Sequence, residues 1–124
     1  MSLKFKGKGH AVAPEIKDMQ PALVIVLGVV LQFCKGHMLE CKVTNIKHKF
    51  PQSESNTHPE GRAFDVSVKG WKEEDIHGCM KYVRRKVGNL GAISNKSNDH
   101  TIAVFHNVGL GPHLHFQVAR EVYF

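Results

Sequence analysis

The chain has 124 residues, a formal charge of +6, a pI near 9.4 and three cysteines. That length fits one domain, residues 1–124, with a real hydrophobic core and excludes two ordinary domains. No low-complexity tract, repeat or Pro- or Ser-rich linker marks a boundary. The basic balance attracts an anionic partner of some kind, whether nucleic acid, lipid head group or acidic wall polymer. No zinc-finger spacing and no aromatic RNA-binding signature is present, so nucleic acid is not the expected partner.

Taken in chain order, the first dozen residues, with KFKGK, are expected to lack fixed structure. PALVIVLGVVLQF follows, and its apolar run stops at Gln32, short of the roughly 20 residues a membrane span needs. Pro21 suits a helix's first turn and Gly36 a helix stop, so a buried helix is predicted over about 20–35. Asp18, Gln20 and Pro21 precede the run and no small-residue cleavage site follows it, which argues against a signal peptide. The expectation is therefore a chain made in the cytoplasm with no membrane partner, a monomer being favoured. Cys34, Cys41 and Cys79 form no CxxC pair and cannot all pair within one chain, so buried free thiols and a reducing compartment are expected.

Residues 39–46, LECKVTNI, alternate as a strand with Leu39, Cys41 and Val43 on one face. Residues 49–61 are polar, contain Pro51, Pro59 and Gly61, and read as a loop. In RAFDVSV, Ala63, Asp65 and Ser67 point one way while Phe64, Val66 and Val68 point to the core. After Gly70, WKEEDIHGCMKYVRRKV has helical spacing at Ile76, Met80, Val83 and Val87 and stops at Gly88. Its KYVRRK run is expected on a solvated face. TIAVFHNV, a Gly-Leu-Gly-Pro turn and HLHFQVAREVYF read as neighbouring antiparallel strands. The fold class is α+β: a small antiparallel sheet with helices packed on one side.

Two short segments carry chemistry. On a strand, His113 and His115 project from one face while Leu114 and Phe116 turn to the core. His58 and Asp65 are seven apart, a spacing that separates them by ~10 Å on a helix and ~23 Å on a strand. The segment between them must curl, and Pro59 and Gly61 supply the curl. His58, Asp65 and one histidine of HLH then give three N/O ligands with a position left for water, the composition of a catalytic zinc site. Arg62 is expected exposed or ion-paired, and Trp71 is expected to pack.

THPEGRAFD with a downstream HLH resembles the zinc peptidases of the D-alanyl-D-alanine carboxypeptidase group, the M15 peptidases. That group includes VanX- and VanY-like enzymes and phage L-alanyl-D-glutamate endolysins, and its signature runs approximately S-x-H-x-x-G-x-A-x-D. His58, Gly61, Ala63 and Asp65 fall at the matching offsets, and the likeness spans about residues 44–118. It implies one zinc ion held by His58, Asp65 and His115, with His113 in a catalytic role beside the metal. It also implies hydrolysis of a peptide bond in the stem of bacterial peptidoglycan, by a protein acting on the cell wall; the missing export signal adds the expectation of a phage or prophage origin.

Three positions depart from the pattern. Asn56 stands where the signature has Ser. The family's substrate-anchoring Arg is replaced by His48, flanked by Lys47 and Lys49, so His48 and Lys49 are the expected substrate contacts; a lysine gives a point charge without the arginine fork. Pro112 occupies the position of an acidic base three residues before the last metal histidine, which leaves His113, then His106, to handle the proton. Pro112 also supports an alternative reading, a catalytically inactive zinc-binding module acting in binding or assembly.

Overall fold

The computed structural model describes residues 3–7, 12–46, 58, 60–93, 100–108 and 111–119. Helix α1 runs Pro21–Gly36 and α2 runs Glu73–Val87. Pro21 opens α1 after an extended Gln20, where its missing N–H costs nothing. Glu73, Glu74 and Asp75 stand in the first turn of α2, and Arg84, Arg85 and Lys86 in its last. Both charge groups complement the helix dipole, which accounts for the KYVRRK run as an exposed helix end.

The strands are β1 (Leu3–Phe5), β2 (Cys41–Asn45), β3 (Ala63–Ser67), β4 (Ala92–Ile93), β5 (His100–Thr101), β6 (Ala103–Val108) and β7 (Gly111–Gln117). Five of them form one sheet in the order β1-β2-β3-β7-β6, while β4 and β5 make a separate pair. The β2/β3, β3/β7 and β6/β7 pairings are antiparallel. The expected α+β architecture is therefore present, with one addition at the N-terminus. Leu3–Phe5, expected to be without fixed structure, forms a parallel edge strand on β2, with Leu3 opposite Cys41 and Phe5 opposite Val43. Leu3 and Phe5 pack against the core, and the Lys4 ammonium lies 3.4 Å from Glu40. A short 3-10 turn at Ala13–Asp18 precedes α1.

Period-two alternation sorts the sheet into two faces. One carries Val43, Phe64, Val66, Leu114 and Phe116, all fully buried, in a cluster with Leu23, Val26 and Val30 of α1 and Ile76, Cys79 and Val83 of α2. Phe64 and Phe116 are register partners, their rings stacked with centroids 5.2 Å apart. Burying two such rings contributes about 2–3 kcal/mol each and fixes the β3/β7 register. All three cysteines are free and buried. No helix among the described residues is long and apolar enough to cross a membrane. The opposite face of the sheet holds the polar positions, and the site lies there.

Candidate metal centre

The β3/β7 register sets Asp65 directly opposite His115 and Ser67 opposite His113. Their side chains leave the sheet on the face away from the helices, because their neighbours Phe64, Val66, Leu114 and Phe116 are committed to the core. Strand pairing thus brings together two residues 50 apart in sequence: His115 Nδ1 lies 2.9 Å from Asp65 Oδ1.

His58 reaches the same carboxylate from a loop that is held at several points. Gly61 has φ +70, and its N–H donates to the His58 carbonyl at 3.0 Å, closing the turn between His58 and β3. This is the curl that the seven-residue spacing requires. The turn docks on the start of α1, since the Gln20 N–H donates to the Gly61 carbonyl at 3.0 Å and Gln20 Nε2 to the Glu60 carbonyl at 3.3 Å. A Cβ at residue 61 would overlap the Asp18 carbonyl oxygen, so both the backbone conformation and the close approach require glycine. Arg62 is buried and ion-paired, its Nε 2.7 Å from Glu60 Oε1 and its Nη1 donating to the Val118 carbonyl at 3.0 Å. It fastens the loop to the end of β7.

His58 Nε2 thereby stands 3.3 Å from Asp65 Oδ1. His58, Asp65 and His115 are all buried, each offers a ligand atom, and these atoms lie within 4.8 Å of one another, so the group could hold a single metal ion. The remaining hydrogen bonds support that reading. His58 Nδ1 lies 2.7 Å from the Ile46 carbonyl, which can only accept, so Nδ1 carries the proton and Nε2 turns a lone pair toward Asp65. His115 Nε2 lies 3.0 Å from Gln117 Oε1. Gln117 Nε2 donates to the Thr101 carbonyl at 3.1 Å, which fixes the amide and leaves its oxygen to accept from His115. In their neutral forms both imidazoles therefore face Asp65 with a lone pair, and when protonated they donate to it, His115 Nδ1 at 2.9 Å and His58 Nε2 at 3.3 Å. Both imidazoles have their outer nitrogens satisfied by protein acceptors and their inner nitrogens converging on one carboxylate, as metal-ligating histidines do.

The charges are consistent with this geometry. Burial pushes the Asp65 carboxyl up, but the hydrogen bonds from His115 and His58 outweigh it and hold the group well below the usual carboxylate range. Burial disfavours the charged form of His58, and the Asp65 hydrogen bond and charge, with smaller help from backbone bonding at Ile46 and Ala63, raise it above the ordinary imidazole value. Two lone pairs facing one anion attract a cation, and in the metal-free protein a proton fills that role.

His113 lies on the same face, half-buried, its Nδ1 donating to the Gly111 carbonyl at 3.0 Å. It is outside the ligand group and beside it. Its cross-strand partner on β6 is His106, with ring centroids 5.2 Å apart, and the His106 ring is 5.8 Å from that of His115. Burial, then the charges of His115 and His113, lower the His106 pKa. Pro112 pairs with Asn107 at the tip of the β6/β7 hairpin. The expected substrate contacts His48 and Lys49, together with Asn56, lie outside the described residues.

Gln117 is the site residue that sequence reasoning passed over. A signal was present: His113, His115 and Gln117 stand at successive alternate positions of one strand, so all three share a face. The Ile46 carbonyl carried no such signal, because only the loop's closure brings it to His58. Comparison with protein families, with characterised proteins and with solved structures gives no match.

Proposed function

We propose that the chain is a zinc metallopeptidase that hydrolyses a peptide bond in the stem peptide of bacterial peptidoglycan, of the D-Ala-D-Ala carboxypeptidase or L-Ala-D-Glu endopeptidase type. The observation that carries it is the convergence of His58 Nε2, Asp65 Oδ1 and His115 Nδ1. Two neutral imidazoles and a carboxylate are a donor set suited to zinc, and three protein ligands are the composition of a catalytic site. The substrate class comes from the likeness of THPEGRAFD and HLH to the zinc peptidases described above, and the basic charge suits an anionic wall polymer.

Zinc, when bound, supplies a Lewis acid that polarises a carbonyl and draws the pKa of water toward ~7. The chain's own residues do the rest. Ile46 and Gln117 hold the two imidazoles in the tautomers that leave the inner nitrogens free. Asp65 stays ionised across the working pH range. His113, with Nδ1 committed to Gly111, presents Nε2 as the atom that takes and returns a proton, and His106 stands behind it.

A specific observation favours a second reading. With Pro112 in the place of an acidic base, the fold and metal suit a zinc-binding module without catalysis. One experiment decides between them: purified peptidoglycan is incubated with zinc-loaded protein and the soluble products are weighed by mass spectrometry. The peptidase releases fragments ending at one type of bond, and Asp65→Ala releases none. Stoichiometric zinc with no fragments from the wild type would support the module.

A further inference from the structure

The sheet face that bears Asp65 and His115 continues past Ser67 into an open depression of about 260 Å³. Leu39 and Trp71, both packed against the core, and the 89 % exposed Met38 form its apolar side. Glu40, Lys42, Ser67 and Lys69 form its polar side. The register ties this depression to the metal centre. Ser67 is two residues along β3 from Asp65, on the same face, with Lys42 opposite it on β2 and His113 opposite it on β7. Two residues of strand advance by about 6.6 Å, which is also the advance of two residues of an extended peptide.

The charges there are only partly compensated. Glu40 is the carboxylate next to Lys42, at 3.9 Å, and it lies closer to Lys4, at 3.4 Å. Among the described residues no carboxylate pairs with the Lys69 ammonium. The Ser67 hydroxyl oxygen accepts the Lys69 N–H at 3.4 Å, and its hydrogen remains available to an acceptor.

We infer that this depression is a substrate subsite for a carboxylate: it receives the acidic end of a peptide, one or two residues from the bond held at the metal centre. Lys42, Lys69 and the Ser67 hydroxyl take the carboxylate, and Leu39 and Trp71 take the aliphatic part of the residue that bears it. The inference rests on the peptidase reading and gives the anchoring role to residues other than His48 and Lys49.

Trp71 is the only tryptophan in the chain, so stopped-flow tryptophan fluorescence reports directly on this subsite. Zinc-loaded protein is mixed with an N-acetylated dipeptide of small aliphatic residues and, separately, with its C-terminal amide, while cleavage is followed in parallel by mass spectrometry. The acid is expected to bind at least ~10-fold tighter than the amide, the worth of one hydrogen bond to a charged group. Lys42→Met combined with Lys69→Met should erase that preference and leave amide binding and zinc content unchanged. Equal binding of acid and amide, survival of the preference in the double variant, or no saturable response to either peptide by fluorescence and calorimetry would each overturn the subsite. Acid preference without cleavage supports the subsite and counts against the peptidase reading. Cleavage without acid preference does the reverse.

Discussion

Replacing Gly61 with alanine tests the link between the His58 loop and the metal centre. At φ +70 an alanine bears the left-handed penalty of about 1–2 kcal/mol. Its Cβ also overlaps the Asp18 carbonyl oxygen, so the turn must lift away from α1. Lifting breaks the bonds from the Gln20 N–H to the Gly61 carbonyl and from Gln20 Nε2 to the Glu60 carbonyl, worth about 1 kcal/mol each. The total is about 3–4 kcal/mol, a fall in Tm of about 12–16 °C for a domain of this size. Gly70 provides the matched control. It has φ +87, but a Cβ there meets nothing within 4 Å, so Gly70→Ala incurs the backbone penalty alone and loses about 4–8 °C. Thermal melts of both variants, with zinc titrations well below Tm, separate the two contributions. Gly61→Ala should also weaken zinc by at least ~10-fold, the usual result of disturbing what holds a ligand in place. If Gly61→Ala melts with Gly70→Ala and binds zinc like the wild type, the docking of the turn on α1 does not position His58.

Elemental analysis should find near-stoichiometric zinc in the wild type, and most of it should be lost in His58→Ala and in Asp65→Ala. His113→Ala should keep its zinc and lower kcat by ~10²–10⁴-fold, as removal of a general acid-base group does; loss of zinc with His113 would make it a fourth ligand. Gln117→Leu should weaken zinc by ~10–100-fold without unfolding the domain, measured by competition with a chelator, because His115 loses the acceptor that sets its tautomer. In the metal-free protein the His58 pKa is raised, so its stabilising charge is fully present below the unfolded value and is lost as pH rises through the folded one. Zinc must displace that proton, so zinc affinity should climb with pH until the folded His58 pKa is passed. An NMR titration of His58 in Asp65→Asn should find its pKa at or below 6.5, because burial then acts without the opposing carboxylate.

Much of this protein follows from local pattern. Pro21 and Gly36 bracket α1, and alternation in RAFDVSV and HLHFQ assigns Phe64, Val66, Leu114 and Phe116 to the core, leaving Asp65, His113 and His115 together on the other face. These features depend on 3.6- and 2-residue periods and on which side chains leave water, all of which a linear sequence displays. The seven-residue spacing of His58 and Asp65 likewise demands a curl by itself. Tertiary structure decided what depends on pairing between distant segments. The β3/β7 register chose His115 over His113 as the residue opposite Asp65. The docking of Gly61 on α1 chose where His58 points, and the Ile46 carbonyl and the Gln117 amide chose which nitrogen of each imidazole is free. The edge strand Leu3–Phe5 escaped the sequence reading for the same reason: three residues carry too short a pattern to declare a strand, and only the open edge of β2 gives their backbone groups a partner.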